Sequence, residues 1–547
     1  MATTQMSLKL VVDKKMNRVV FAECGNDFVD VLLSFLTMPI GTIIRLTGKE
    51  SQIGGMSTLY ESVEDLDVSL LQTEACKKML LYPKNSSEEH CKNLKVNVDD
   101  TEPTKYYVCS WDCCAKKHQL VSTFYNAQCG CGQSMNTQTI YNQKLNNVAC
   151  SRDGVFVKGN MRFIIREDLQ VFPVSTKATF TLLNDLGISD ASVLEERKVN
   201  VGPAEVLHLL NRLLLSKTPL KDVFLRDQDM IDWSHHDFIV DALHGKDLDQ
   251  PLEEKENGSS HSKKISVKLS VNKSNKKVVY AEAGEEFTDL LFSFLAFPLG
   301  FLTKFFCGDS GIRCLDNLYR SVQVLKDFLK SKECRGLLID PNLATFFSCY
   351  NQPLQVKEQI PWQPTIGCCY QCKEPSGGHI TITDFGTGYC DHGYLMKKKL
   401  CIINPKYPNP VKELGGNFFA GPALFMITDE LNVKQLSPMS ALSLLTKLNI
   451  SMSDIEEHVV SVGEKEAASL FVASLISKTV LTDVFYPKKP KHLGKESDNK
   501  VKIVVRPPST RQESHSNPTA ATATAQMGST LYKLMHLTKR AHRIAYG

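Results

Sequence analysis

Hydrophobic and polar positions near the start of the chain follow the pattern of a hairpin and then a helix. Apolar and polar residues alternate over Ser7–Val12, Arg18–Glu23 is rich in β-branched residues, and a polar segment lies between them, which predicts a β-hairpin. Apolar positions recur at three- and four-residue spacing over Phe28–Leu36, which predicts an amphipathic helix. Pro39 and Gly41 are expected to end this helix.

The same pattern returns once, at an offset of 258 to 261 residues. Val19-Val20-Phe21-Ala22-Glu23 recurs as Val278-Val279-Tyr280-Ala281-Glu282, and Ser216-Lys217-Thr218 recurs as Ser477-Lys478-Thr479. Few insertions separate the two copies, so each is predicted to be one complete domain. The predicted domains are residues 1–225 and 265–486. Whether they pack together or lie apart is open at this stage.

The rest of each copy favours an α+β fold. Residues 162–174 and 424–436 each follow a strand–turn–strand pattern, and helical patterns come next at 176–186 and 438–448. A further strand and Gly202 or Gly463 precede a last helix. Strands joined directly to helices, without long alternating parallel units, argue against a doubly wound sheet. The prediction is therefore two tandem homologous α+β domains made of hairpin-plus-helix units.

Composition changes between and after the copies. Residues 226–264 are rich in Asp, Glu, His and Ser, which predicts a polar linker. Residues 487–547 carry 12 Lys/Arg against 3 Asp/Glu, whereas the whole chain has a net charge of only +4. The body is therefore mildly acidic, and the basic residues lie in a tail that is predicted to be largely disordered with a short helix near its end.

Composition also bears on localisation. The 547 residues are 42% hydrophobic and 23% charged, as is typical of soluble proteins. Met1–Leu10 lacks the features of a secretory signal. The most apolar run, Leu290–Thr303, is shorter than the roughly 20 residues that cross a bilayer. We therefore expect an intracellular protein, cytoplasmic and/or nuclear, whose 18 cysteines are metal ligands or core residues rather than disulfides.

Part of the cysteines form a set with metal-ligand spacing in both copies. The set comprises Cys109, Cys113, Cys129 and Cys131 in the first copy, and Cys368, Cys372, Cys390 and His392 in the second. Cys131 corresponds to His392, and this exchange is expected of a zinc ligand because thiolate and imidazole can each occupy a tetrahedral vertex. Two structural zinc ions per chain are predicted, each in a small Cys-rich, zinc-ribbon-like insertion.

Two alternatives stay open for the cysteines. Cys114 and Cys369 adjoin the first pair of each set, so either of them can replace a neighbour as ligand. The cysteines can also be free core thiols, since unpaired cysteine is among the most buried residue types. Core packing is favoured for two further matched pairs whose spacing fits no metal pattern, Cys76 with Cys334 and Cys91 with Cys349.

Catalytic signatures are missing from the sequence. Thr47-Gly48-Lys49-Glu50 lacks the remaining residues of a phosphate-binding loop, and no His-Glu-x-x-His, Gly-x-Ser-x-Gly or zinc-deaminase pattern occurs. No catalytic or cofactor-binding residue is therefore predicted. Four protein ligands would also leave no open position on zinc for catalysis.

Several of these segments resemble a plant family, domain of unknown function six-seven-four. The resemblance is carried by Ser7–Lys15, by the helix that ends Ser34–Gly41, by Ser216-Lys217-Thr218 and by the Cys-x3-Cys stretch. It covers about Ser7 to Tyr486 and implies a plant source and a tandem arrangement. It implies no activity, and the tail departs from the usual family ending.

Three functional hypotheses follow. The favoured one is a zinc-stabilised, non-enzymatic interaction or scaffold protein, because closed metal sites occur twice and catalytic motifs are missing. The partner is then expected to be a protein, and no membrane is involved. The alternatives are a nucleic-acid-binding or nuclear regulatory protein that uses the basic tail, and an enzyme of unrecognised class.

Overall fold

The computed structural model describes most of the chain up to Pro487. The described residues are 5–48, 53–109, 119–141, 154–225, 264–350, 352–361, 365–367, 381–383 and 398–487. We call the part up to 225 the first half and the part from 264 the second half. The predicted linker and tail lie outside the described residues, apart from Lys264 and Pro487.

Strands of the first half either belong to one sheet, with three to eight residues each, or are two-residue strands of the Cys-rich insertion. Their bounds are Met6–Asp13 (β1), Arg18–Gly25 (β2), Tyr107–Val108 (β3), Leu120–Val121 (β4), Ala127–Gln128 (β5), Ser134–Met135 (β6), Thr137–Gln138 (β7), Ile140–Tyr141 (β8), Arg162–Arg166 (β9), Val171–Pro173 (β10) and Leu194–Val201 (β11). The predicted hairpin and the predicted strand–turn–strand are both present.

The second half has a corresponding series. Its strands are Ile265–Asn272 (β12), Val278–Gly284 (β13), Thr365–Gly367 (β14), Thr381–Thr383 (β15), Lys398–Lys399 (β16), Cys401–Ile402 (β17), Leu424–Thr428 (β18), Val433–Gln435 (β19) and Ile455–Val462 (β20).

Helices alternate with these strands in both halves. Those of the first half are Asn26–Ser34 (α1), Ile40–Thr47 (α2), Gly54–Asp65 (α3), Glu74–Leu81 (α4), Glu88–Cys91 (α5), Thr176–Asp185 (α6), Pro203–Leu215 (α7) and Pro219–Phe224 (α8). Those of the second half are Glu285–Ala296 (α9), Leu299–Phe305 (α10), Arg313–Val324 (α11), Lys332–Ile339 (α12), Pro438–Lys447 (α13), Glu464–Ile476 (α14) and Val480–Phe485 (α15). The mixed α+β class is therefore confirmed. Within the described residues, no helix is long and apolar enough to cross a bilayer.

Each half contains one five-stranded antiparallel sheet, and the two sheets have the same strand order. The order is β10-β9-β2-β1-β11 in the first half and β19-β18-β13-β12-β20 in the second. The register shifts at matching places, between Val11 and Val12 and between Ser270 and Val271. Alternating side chains of a strand point to opposite faces of the sheet. Leu8 and Leu10, like Val267 and Leu269 in the second half, are buried in the core.

The first buried helix of each half ends at the contact between the halves. The apolar face of α1 lies in the core, the chain tightens to a 3-10 turn at Phe35–Thr37, and Pro39 follows. At Pro39 and Pro298 the two halves form an antiparallel bridge. Ile40 N donates to Phe297 O at 3.0 Å, and Leu299 N donates to Met38 O at 2.9 Å.

Beyond this bridge, the two halves exchange helices. Helix α3 of the first half packs against α14 and β19 of the second half, and α11 of the second half packs against α7 and β10 of the first. One hydrogen bond fixes each exchanged helix, and the two hydrogen bonds lie at matching positions. Val433 N donates to Ser62 Oγ at 2.9 Å, and Val171 N donates to Ser321 Oγ at 2.8 Å.

The segments after the exchanged helices also cross over. Leu71 bridges to Phe419, and Leu329 bridges to Val157. Consequently, both halves share one hydrophobic core cluster, and the described residues of the two halves belong to one compact unit. The sequence left the packing of the copies open, and the structure interlocks them. The predicted domain boundaries stay predictions.

Buried carboxylates hold the crossing segments in place. Asp30 accepts hydrogen bonds from the backbone N–H groups of Val155, Phe156 and Val157 at 2.7 to 2.9 Å. The counterpart Asp289 accepts one from Phe418 N at 3.0 Å. Burial raises the pKa of Asp30 to about 6 and that of Asp289 to about 7, although these hydrogen bonds oppose the rise.

Gly54→Ala tests the exchange. Gly54 has a φ of +47°, and an added Cβ would lie 2.5 Å from Ser474 O on α14. The variant should lose about 2–4 kcal/mol of unfolding free energy through left-handed strain and overpacking. Chemical denaturation followed by circular dichroism measures this loss.

The matched control is Gly25→Ala, also in the first half. Its Cβ would meet nothing within 4 Å, so the unfolding free energy should hardly change. Equal stability of the two variants would contradict the close approach of α3 to α14.

Candidate metal centre

Three of the predicted ligands come from two neighbouring short elements. Cys109 directly follows β3, and Cys129 and Cys131 lie in the turn that joins β5 to β6. Cys129 N donates to Gln133 O at 2.8 Å, and Gly132 N donates back to Cys129 O at 2.9 Å. Gly132 has a φ of +84°, a conformation that glycine adopts without strain. The turn thus points two thiols to one side.

The three thiols converge. Their sulfur atoms all lie within 4.8 Å of one another, and Cys109 Sγ is 3.7 Å from Cys131 Sγ. With metal–sulfur bonds of about 2.3 Å, tetrahedral geometry places two sulfur ligands about 3.8 Å apart. The Cys109–Cys131 distance therefore fits a tetrahedral zinc site, in which three thiols leave one vertex for a fourth ligand.

An apolar shell surrounds the cluster. Cys109 and Cys129 are buried together with Leu120, Met135 and Ile403. Burial raises the pKa of the Cys129 thiol to about 11, and the neighbouring Cys131 and Cys109 add to the rise. Without a cation the Cys129 thiol therefore stays protonated at neutral pH. Because metal binding requires thiolates, binding would release protons here.

Not all predicted ligands fall within the described residues. Cys113 and the alternative Cys114 lie outside them, as does the whole second set with its alternative: Cys368, Cys369, Cys372, Cys390 and His392. The two four-ligand sites and both zinc ions therefore stay predictions. Among the residues that the structure describes, Cys109, Cys129 and Cys131 form the one group with metal-ligand geometry.

The insertion that carries the cluster pairs with the second half. Strand β4 runs parallel to β17, and β8 runs parallel to β15 of the sheet β16-β14-β15-β8. As a result, Ile403 enters the apolar shell, and Cys401 packs beside the cluster without joining the triad. Sequence spacing offered no signal for Cys401, because it reaches the cluster only through the pairing of the halves.

Most of the remaining described cysteines behave as core residues. Cys76, Cys91 and Cys334 are buried, as expected. Cys349, the counterpart of Cys91, is half-buried. Cys307 is exposed. The described cysteines therefore divide into a converging triad and a set of separate side chains, and among them only the triad has metal-ligand geometry.

Fold and cluster together define an α+β protein with two interlocked halves and a cluster of three thiols, two of them in a short hairpin turn. The chain belongs to the family described as Protein of unknown function (DUF674), which matches residues 2–465. This match confirms the family resemblance, and it includes every strand of both five-stranded sheets. Comparison with curated proteins and with solved structures gives no match. The plant source stays a prediction.

Proposed function

We propose that this protein is a zinc-stabilised, non-enzymatic interaction protein. The observation that carries the proposal is the convergence of Cys109, which follows β3, with Cys129 and Cys131 of the β5–β6 turn. Cys113 is the proposed fourth ligand, since it lies within four residues of Cys109. A zinc ion with four protein ligands has no open position, so it would stabilise structure and would not take part in a reaction.

The size of the insertion supports a stabilising role for the metal. Strands β3 to β7 are two residues long and form two-stranded pairs, and isolated pairs of this kind are marginally stable in water. Within the described part of the chain, five buried side chains make up the local core. In so small a unit, the free energy of zinc binding becomes folding free energy.

The surface of the insertion favours a protein partner. No charged residue occurs from Gln119 to Gln143, whereas binding to a phosphate backbone requires cations. The exposed side chains are amides and hydroxyls together with Tyr125, which is 50% exposed. Tyr107 holds the Tyr125 ring edge-on at 5.6 Å. A positioned, exposed tyrosine among amide groups is typical of protein-binding surfaces.

Metal analysis of variants tests the zinc site. Cys129→Ser removes a buried thiol of the triad, so purified protein should contain about one zinc ion fewer than wild type. Elemental analysis by plasma mass spectrometry measures the difference. Cys401→Ser is the matched control, because Cys401 packs beside the cluster but lies outside the triad, and its zinc content should equal that of wild type. Wild-type protein purified without chelators and free of metal would refute the site.

Comparison of bound proteins tests the interaction surface. Zinc-loaded full-length protein is immobilised and exposed to an extract of its source cells. The affinity for at least one bound protein, measured from its recovery, should fall about thirtyfold with Tyr125→Ala, since an interface tyrosine commonly contributes about 2 kcal/mol. Cys129→Ser should cause the same loss.

The control for surface exposure is Met16→Ala in the β1–β2 turn. Met16 is 64% exposed, and its replacement should leave the recovery of that partner unchanged. A set of bound proteins that is the same for all four forms would contradict the proposed surface.

A further inference from the structure

A wide cleft opens on the second half, away from the thiol cluster. It has a volume of about 740 Å³ and lies between the β12–β13 turn, the β18–β19 turn and helix α13. Thr58 of the exchanged helix α3 contributes to its lining. The cleft is therefore built from both halves and exists in this form because of the exchange.

Basic side chains dominate the charge of this cleft. Lys277, Lys434, Lys447 and Lys478 line it, against Asp429 and Glu430, so its formal charge is +2. Asp429 accepts hydrogen bonds from Thr482 N and Oγ1 at 2.8 and 2.7 Å, and burial raises its pKa to about 6. The Asp429 carboxylate is thus hydrogen-bonded within the fold, and the lysines make the electrostatic potential of the cleft positive.

The first half provides an internal comparison, because its residues at the matching positions carry different charges. Phe172 stands where the second half has Lys434, Asp185 where it has Lys447, and Asp13 where it has Asn272. All three differences make the second cleft more positive. Over the full set of matching positions, the first half has three basic and four acidic residues, a formal charge of −1.

Contacts in the first half show what the added charges change. There, Asp13 Oδ2 pairs with Arg18 at 3.3 Å. Lys277 occupies the position of Arg18, and the neutral amide of Asn272 offers it no corresponding ion pair. The first-half cleft beside α6 is also smaller, at about 300 Å³. Arg166, Lys177 and Asp185 give that smaller cleft a formal charge of +1, so the cleft of the second half has both the larger volume and the larger positive charge.

The floor of the cleft is apolar. Val279 and Met426 are buried at its base, and Leu444 and Leu448 of the α13 region also line it. Clefts of about 300–1,000 Å³ with apolar walls and a few polar groups are the usual sites for small ligands. Lysine ammonium groups at the rim select anions.

We propose that this cleft binds a small organic anion, with a phosphate or carboxylate against the lysines and an apolar body on the floor. Lys434 and Lys447 act as specificity residues, since both replace uncharged or acidic residues of the first half. The site does not depend on zinc, and its failure would leave the proposed metal centre untouched.

Binding of 1-naphthyl phosphate to the full-length protein tests this site. Isothermal titration should show saturable binding of one molecule per chain that weakens as salt is added, because exposed charges are screened. Inorganic phosphate and 1-naphthol should each bind more weakly, since the first lacks the apolar body and the second lacks the anionic group. Saturation equally strong with 1-naphthol would contradict anion selection.

Variants locate the binding. Lys434→Phe combined with Lys447→Asp restores the first-half residues and should weaken binding by about tenfold or more, which is the effect of losing two charge-assisted contacts. Lys447→Gln alone should weaken it by about threefold to fivefold. Both lysines are exposed, so the melting temperature should stay at the wild-type value.

Lys326→Asp is the control for charge alone. Lys326 is exposed on the second half and does not line the cleft, and this variant should bind as wild type does. The proposal is overturned if 1-naphthyl phosphate does not saturate at millimolar concentrations. It is also overturned if the double variant binds as tightly as Lys326→Asp.

Discussion

The antiparallel contact at Pro39 and Pro298 is the constraint on which the rest of this structure depends. Two backbone hydrogen bonds join the halves there, immediately after the first buried helix of each half. From this point each chain segment continues onto the opposite sheet, where Ser62 and Ser321 accept hydrogen bonds from strands of the other half. The core is consequently shared, and neither sheet is covered by its own half alone.

Both candidate sites lie where the halves meet. Around the thiol cluster, Ile403 of the second half completes the apolar shell, and parallel pairing of β4 with β17 fixes the position of the insertion. In the lysine-lined cleft, Thr58 of the first half contributes to the wall. The two sheets share one strand order, whereas residues at the contacts between the halves, such as Phe172 and Lys434, differ.

Sequence reasoning predicted the local elements well, because periodicity reports which face of an element is buried. It placed the hairpins, the helix that ends at Pro39, and the convergence of Cys109 with Cys129 and Cys131. It could not predict the exchange, since the apolar stripe of α3 is the same whichever sheet covers it. Nor could it place Cys401 beside the cluster, because the parallel pairing of β4 with the distant β17 produces no recognisable pattern of residue spacing in the sequence.

Cleavage of the chain between the halves tests the interlocked arrangement most directly. A specific protease site inserted between Gly258 and Ser259, within the predicted linker, allows the full-length protein to be cut after folding. The two fragments should co-elute as one species and unfold in a single transition near the melting temperature of the uncut protein, because the shared core holds them together. Fragments that separate under native conditions, or that melt independently, would contradict the account.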